Sequence, residues 1–289
     1  EGGYGIVFLA YSRDRSAGRQ AAIKMLKPGI DTIQVQRRFE REQLLLSELE
    51  HPFIAQMLEL VATRKGQPCI VMEYVEGDPI TDYCDKRKAT IEQRVDLLLD
   101  TCDALVYSHA KGVMHRDIKP ENVLVERNKG SVKLIDFGIA RLMQNDQTMI
   151  TMASRPIGTP GWMAPEQWEG ESDARTDVFS LGTLACKLIF GVRPSAPTMR
   201  GRQGVGAWRA ALTAFRPKAS LQEMKADSPG EHAELAELRT MRGADLDRAA
   251  GQALGWIVRK CLQTDQRDRY QSIESLAEDL RRWRMGLRV

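Results

Sequence analysis

At 289 residues, with 43% hydrophobic and 28% charged side chains, the chain has the composition of a globular protein with one large core or two modest ones. A net charge of +3 is too small to argue for a nucleic-acid or membrane-surface partner. Five scattered cysteines with no C-x-x-C pair speak against a disulfide framework or zinc site, and for reduced thiols buried in a cytoplasmic setting.

No window comes near the ~18 apolar residues of a membrane span. Phe179 to Phe190 is the most apolar stretch, and it is too short and contains Lys187. No signal peptide precedes the first motif. The chain opens inside a motif, as expected of a domain excised from a longer parent.

Glu1-Gly2-Gly3-Tyr4-Gly5-Ile6-Val7 matches the tail of a G-x-G-x-x-G-x-V loop whose first glycine would precede residue 1. Glycines there let backbone close over phosphates; the same residues also suit a hairpin turn. Ile6 to Tyr11 and Gln20 to Met25 read as strands. Lys24, ending the second, is either a solvated edge residue or, about twenty residues past the glycines, a phosphate ligand. Thr32 to Leu49 has helical periodicity, with Val35, Phe39, Leu45, Leu46 and Leu49 on one apolar face. Glu42 borders that face and needs a partner, either Lys24 or Arg38 of its own helix.

Ile54 to Thr63 and Cys69 to Val75 read as two further strands. Pattern then changes from strand-rich to helix-rich, placing a lobe boundary at about residues 73–78, where main-chain groups without sheet partners can read a planar base edge. Ile91 to Ala110 is a periodic helix stopped by Lys111-Gly112.

The next stretch runs His115-Arg116-Asp117-Ile118-Lys119-Pro120-Glu121-Asn122, followed by Asp136-Phe137-Gly138. Asp117 can take a hydroxyl proton and Lys119 can neutralise charge on a moving phosphoryl group. Asn122 and Asp136 are hard oxygen ligands of the kind Mg²⁺ requires. Val123 to Val125 and Val132 to Ile135 read as strands around the polar turn 126–131, a hairpin that brings Asn122 and Asp136 to one end.

Residues 139–160 show little periodicity and hold Thr148, Thr151, Ser154 and Gly158-Thr159-Pro160, with Ala164-Pro165-Glu166 beyond. Asp177 to Phe190 is an apolar helix, in which Asp177 either caps the helix or holds another loop's backbone. Val192 to Lys218 carries six basic and no acidic residues, and reads as solvated surface with a mobile loop or as a docking surface. Leu254 to Leu262 and Ser272 to Trp283 close the chain as helices.

Taken together and in order, these motifs resemble the eukaryotic-type serine/threonine protein kinases. Glu73 to Gly77, Tyr83-Cys84-Asp85, Pro165-Glu166-Gln167 and Asp279 to Arg282 resemble the bacterial members. The resemblance implies an α+β, two-lobed fold with a small β-rich N-lobe at 1–75, lacking its first strand, and a larger, mainly helical C-lobe at 76–289. It implies that Gly2, Gly3 and Gly5 cover the phosphates of ATP. Val7 and Ala22 sandwich adenine above Leu124, and Met72 is the gatekeeper ahead of hinge contacts from Glu73 and Val75. Lys24 holds the α and β phosphates and is itself held by Glu42. Asp117 is the catalytic base, Lys119 a phosphate contact, and Asn122 and Asp136 the Mg²⁺ ligands. Glu166 pairs with Arg269, and Leu46, Met57, His115, Phe137 and Asp177 form a stacked spine.

Lys119 to Asn122 and Gly158-Thr159-Pro160 resemble the serine/threonine rather than the tyrosine pattern. Protein substrates with serine or threonine acceptors are therefore implied, with self-association for phosphorylation between copies. Arg116 beside Asp117 implies control by a phosphate in the activation loop, first at Thr151, then Thr148 or Ser154. Trp162, Gln266 and Tyr270 depart from the family pattern. Two alternatives remain: a catalytically silent pseudokinase scaffold, which usually lacks one of Lys24, Asp117, Asn122 and Asp136, and a small-molecule phosphotransferase, which lacks the Thr159 to Glu166 block.

Overall fold

A computed structural model describes residues 5–11, 20–26, 48–64, 66–137, 159, 161–169, 172–193, 248–287 and 289. Gly2, Gly3, Gly138, the helix expected through Glu42 and Leu46, the residues Thr148, Thr151 and Ser154, and the stretch 194–247 lie outside them.

Strands β1 (Gly5–Tyr11), β2 (Gln20–Leu26), β3 (Met57–Ala62) and β4 (Pro68–Glu73) form an antiparallel sheet in the order β1-β2-β4-β3. Pairing of Val7 with Lys24, Leu9 with Ala22, Ala22 with Met72 and Lys24 with Ile70 puts all six on one face. The expected strand from Ile54 begins only at Met57. Ile54 makes a single parallel bridge to Leu134, and a register shift between Met57 and Glu59 leaves Leu58 as a bulge, 53% exposed. β4 stops at Glu73 rather than Val75. Among the described residues, neither Tyr74 nor Val75 makes a backbone–backbone hydrogen bond.

A second antiparallel sheet, β5-β6-β7, contains β5 (Gly77–Pro79) and the expected hairpin of β6 (Val123–Glu126) and β7 (Val132–Leu134). The segment leading into β3 is tied to β7, where Leu134 accepts from the Ala55 amide at 2.8 Å and donates to the Phe53 carbonyl at 2.8 Å.

Five helices of the described chain build the rest: α1 (Ile80–Lys86), α2 (Ile91–Ala110), α3 (Ala174–Phe190), α4 (Arg248–Cys261) and α5 (Ile273–Arg284). Helix α2 starts at a capping box, in which Thr90 accepts from the Gln93 amide and the Gln93 side chain accepts from the Thr90 amide. Helix α3 starts three residues earlier than its apolar run, because Asp173 is the N-cap, accepting from the Arg175 amide at 2.8 Å. Asp177 is thereby free for other work.

The helical core is the apolar side of α2 (Val95, Leu98, Cys102, Leu105) against α3 (Phe179, Leu184, Leu188), α4 (Ile257, Cys261) and α5 (Leu276, Leu280). All five cysteines are free and buried, and burial pushes the Cys186 thiol up to about 12. Where α3 meets α4 the approach is so close that a Cβ on Gly182 would lie 2.3 Å from the Cys261 Cβ. No described helix is long and apolar enough to cross a membrane.

Candidate active site

The loop between α2 and β6 is pinned from beneath by helix α3. Asp177, fully buried, accepts the His115 amide on Oδ2 and the Arg116 amide on Oδ1, both at 2.8 Å. His109 Nε2 reaches the same Oδ2 at 2.7 Å. Burial opposes ionisation of this carboxyl. The His109 bond, the nearby imidazoles and the Arg116 amide outweigh it, and hold Asp177 below the ordinary carboxylate range. Of the two roles open to Asp177, the structure shows the holding of another loop's backbone.

That hold has a strained target. Arg116 has a φ of 66°, a left-handed conformation that costs a non-glycine residue about 1–3 kcal/mol. The Gln167 side-chain amide donates to the Arg116 carbonyl at 2.9 Å, fixing the peptide from its other side. His115 orders the next residue: its Nδ1 accepts from the Asp117 amide at 3.3 Å. Its Nε2 lies 3.0 Å from the Ile135 carbonyl, which can only accept, so Nε2 carries the proton. The His115 ring packs on Phe137 with centroids 4.7 Å apart.

Asp117, 8% exposed, is the hub of the loop. Its Oδ1 accepts from the Thr159 amide and hydroxyl, each at 3.0 Å. Its Oδ2 accepts from Lys119 Nζ at 2.8 Å and Asn122 Nδ2 at 3.1 Å. Lys119 Nζ also donates to the Thr159 hydroxyl at 2.6 Å, which closes an Asp117–Lys119–Thr159 triangle. Asn122 Nδ2 donates as well to the Asp117 carbonyl at 2.7 Å, so its amide oxygen is the group left to accept.

Asn122 ends a short 3-10 turn, Pro120–Asn122, and its carbonyl accepts from the Ile135 amide at 3.0 Å. The hairpin therefore brings Asn122 and Asp136 to the same end. Asp136 has a φ of 65°, and its Oδ2 lies 2.6 Å from Lys24 Nζ, an ion pair between β2 and the segment just after β7. Glu42, the partner expected for Lys24, lies outside the described residues.

On the sheet face above, Lys24 and Met72 are buried, Ala22 is half-buried and Val7 is 56% exposed, while Leu124 is half-buried on β6. The Glu73 carboxylate pairs with Lys133 Nζ at 3.0 Å and accepts the Gln56 amide at 3.1 Å, and its own amide donates to the Gln56 carbonyl. The end of β4 is thus fastened just before Val75. Beyond the loop, Glu166 and Arg269 form a buried two-pronged ion pair at 2.6 and 2.8 Å.

His109 and Gln167 are supports that no motif points to as such. His109 follows the buried Leu105 by four residues on α2, so it lies on the apolar side and needs a polar partner.

This set of groups can orient a hydroxyl at Asp117, neutralise anionic charge at Lys119 and Lys24, and offer hard oxygens from Asn122 and Asp136. The model of the protein kinase domain family matches residues 1–280. The chain belongs to the protein kinase family.

Its sequence is 38% identical over 196 residues to a probable serine/threonine-protein kinase of Streptomyces coelicolor, covering 66% of this chain and 29% of that protein. It is 36% identical over 199 residues to serine/threonine-protein kinase PknB of Mycobacterium tuberculosis, covering 67% and 31%. The match to serine/threonine-protein kinase pkn2 of Myxococcus xanthus is 35% over 198 residues, covering 67% and 24%. The matched part thus spans less than a third of these relatives' own length. Among solved structures, the kinase domain of Mycobacterium tuberculosis PknI superposes with a TM-score of 0.63 at 23% identity, covering 98% of this chain and 92% of that one. The fold is accordingly the two-lobed α+β kinase fold, and protein kinases in general use ATP and Mg²⁺.

Proposed function

We propose that this domain is a serine/threonine protein kinase that transfers the γ-phosphoryl group of ATP to serine or threonine hydroxyls of proteins, its own activation loop included. The observation that carries this reading is the triangle of Asp117, Lys119 and Thr159, a carboxylate flanked by an ammonium and a hydroxyl. Residues 1–75 form the nucleotide-covering lobe and 76–289 the lobe that seats the protein substrate.

In this reading Asp117 orients the acceptor hydroxyl and takes its proton as the new bond to phosphorus forms and the bond to the ADP oxygen breaks. Lys119 neutralises charge on the moving group. Lys24, on the face with Val7, Ala22 and Met72, holds nucleotide phosphates, with Gly2, Gly3 and Gly5 covering them. Backbone groups of Glu73 and Val75 receive the adenine edge above Leu124. The donor set fits Mg²⁺: the Asn122 amide oxygen and the Asp136 carboxylate are hard ligands, and Mg²⁺ commonly takes one or two such groups plus substrate phosphates. Mg²⁺, when bound, supplies the positive charge that neutralises the nucleotide phosphates. The domain works in the cytoplasm on protein partners and, by self-association, on a second copy of itself at Thr151, Thr148 or Ser154.

The test is transfer of radiolabel from ATP to serine and threonine peptides and to the chain itself. Transfer is expected with wild type, absent in Asp117→Ala with nucleotide binding retained, and sharply reduced in Lys24→Met. A folded wild-type chain that binds nucleotide without transferring label is instead a pseudokinase scaffold.

A further inference from the structure

Arg193 lies just past α3, whose C-cap Gly191 turns the chain with a φ of 74°. Its guanidinium carbon sits 5.2 Å from the centre of the Trp162 ring. It also crosses Gly161, where a Cβ would stand 2.7 Å from Nη1. Gly161 itself has a φ of 91°, so glycine suits both its backbone and the crossing.

Arg193 is exposed, and among the described residues no carboxylate stands within ion-pair distance of it. Four other surface arginines are matched, Arg127 by Asp78, Arg175 by Asp173, Arg281 by Asp103 and Arg284 by Asp96, while Arg64 and Arg259 are exposed and, among the described residues, also have no carboxylate at ion-pair distance. Arg87 also rests on a ring, that of Tyr83, but it belongs to α1's end and not to the Thr159 segment. Arg193 differs in location. Gly161 is two residues from Thr159, a span of at most about 7 Å between Cα atoms, and Thr159 touches Asp117 through both its amide and its hydroxyl. An extended peptide advances about 3.3 Å per residue. Residues within about three positions of a substrate hydroxyl seated at Asp117 are therefore within reach of Arg193.

A guanidinium braced on an aromatic ring has already lost much of its rotamer freedom, so it captures a carboxylate at a smaller entropic cost than a free arginine. We propose, building on the kinase reading, that Arg193 on Trp162 selects protein substrates bearing an acidic side chain within about three residues of the phosphoacceptor. Trp162 is then a specificity element, which gives a use to its departure from the family pattern.

The test is a set of serine and threonine peptides carrying Glu, Gln or Lys singly at each of the three positions on either side of the acceptor. The readout is kcat/KM for each peptide with wild type, Arg193→Gln and Arg193→Glu. The ratio of Glu to Gln peptides cancels any general change in activity. Wild type is expected to favour Glu about two- to fivefold at one or more positions, as an exposed charge pair allows. The ratio should fall to about one in Arg193→Gln, and Lys should overtake Glu in Arg193→Glu. A merely structural arginine gives no such inversion. If the charge-reversal variant does not fold, Arg193→Gln carries the comparison alone. Transfer with no preference for Glu, or a preference untouched by the variants, overturns the selection by Arg193. No transfer to any peptide overturns the kinase reading, and the selection with it.

Discussion

Glu166 and Arg269, 103 residues apart in the chain, meet as a buried fork on a fork, at 2.6 and 2.8 Å. The remaining N–H groups of Arg269 go to the carbonyls of Gln263, Thr264 and Arg175, so all five donors are used. Its guanidinium also lies 4.9 Å from the centre of the Phe179 ring. Glu166→Ala leaves this cation buried without its partner, and the expected loss is about 3–5 kcal/mol of unfolding free energy in urea titration. A loss under about 1 kcal/mol would show that the pair is no anchor.

The same pair sets an acid limit. Burial acts to raise the Glu166 carboxyl, but the Arg269 hydrogen bonds and charge hold it below the ordinary value, as His109 does for Asp177. A carboxyl whose folded value is depressed stabilises the fold above its unfolded value, about 4, and that stability is lost as pH falls through the folded value. Wild type is expected to lose stability steeply as pH drops below about 4. Glu166→Gln starts lower and shows a shallower slope. Parallel slopes in the two proteins would remove Glu166 from the account.

Thr159 offers a narrower test of the triangle. Its hydroxyl accepts from Lys119 and donates to Asp117, and serine can do both while valine can do neither. Thr159→Val is expected to lower kcat about ten- to a hundredfold, the value of a hydrogen bond to charged groups, with a smaller change in KM. Thr159→Ser should keep most of the rate. Equal rates in the two variants would reject the role of the hydroxyl.

Asp177→Asn trades an acceptor for a donor where three donors converge. One of the His115 amide, the Arg116 amide or His109 must then face an N–H group. The expected result is about 1–3 kcal/mol of lost stability together with a fall in kcat, because Arg116 is released from its left-handed conformation. Stability lost with an unchanged kcat would mean that the loop keeps its shape unaided.

Helix propensity predicts that alanine for glycine inside α3 stabilises by about 1 kcal/mol. At Gly182 the reverse is expected, because the new Cβ would meet the Cys261 Cβ at 2.3 Å. Overpacking of this kind costs about 1–3 kcal/mol. Thermal unfolding of Gly182→Ala decides the sign, and a raised Tm would show that α4 moves aside freely.

Local features of this fold were legible where sequence encodes them locally. The periodicity of Ile91 to Ala110 and the Lys111-Gly112 stop mark α2 to its observed ends, and the polar turn at 126–131 marks the hairpin. The sequence places the start of α3 at Asp177, whereas the structure caps it at Asp173, and only the backbone of a distant loop reveals that Asp177 is engaged elsewhere. Lys24 with Asp136, 112 residues apart, is likewise invisible to any pattern of short period. In the site, the motif spacings point to Asp117, Lys119, Asn122 and Asp136, while the supports His109 and Gln167 emerge only from contacts. Short-range chemistry is written in spacing, and its scaffolding is written in tertiary pairing.

The first turn of α3 serves two masters. Asp177 there grips the backbone of the Asp117 loop, while Thr176, one residue earlier, donates to Glu166 at 3.1 Å. The Asp117 loop on one side and the Glu166 anchor on the other thus share a single lever arm. A displacement of this end of α3 would therefore move both together.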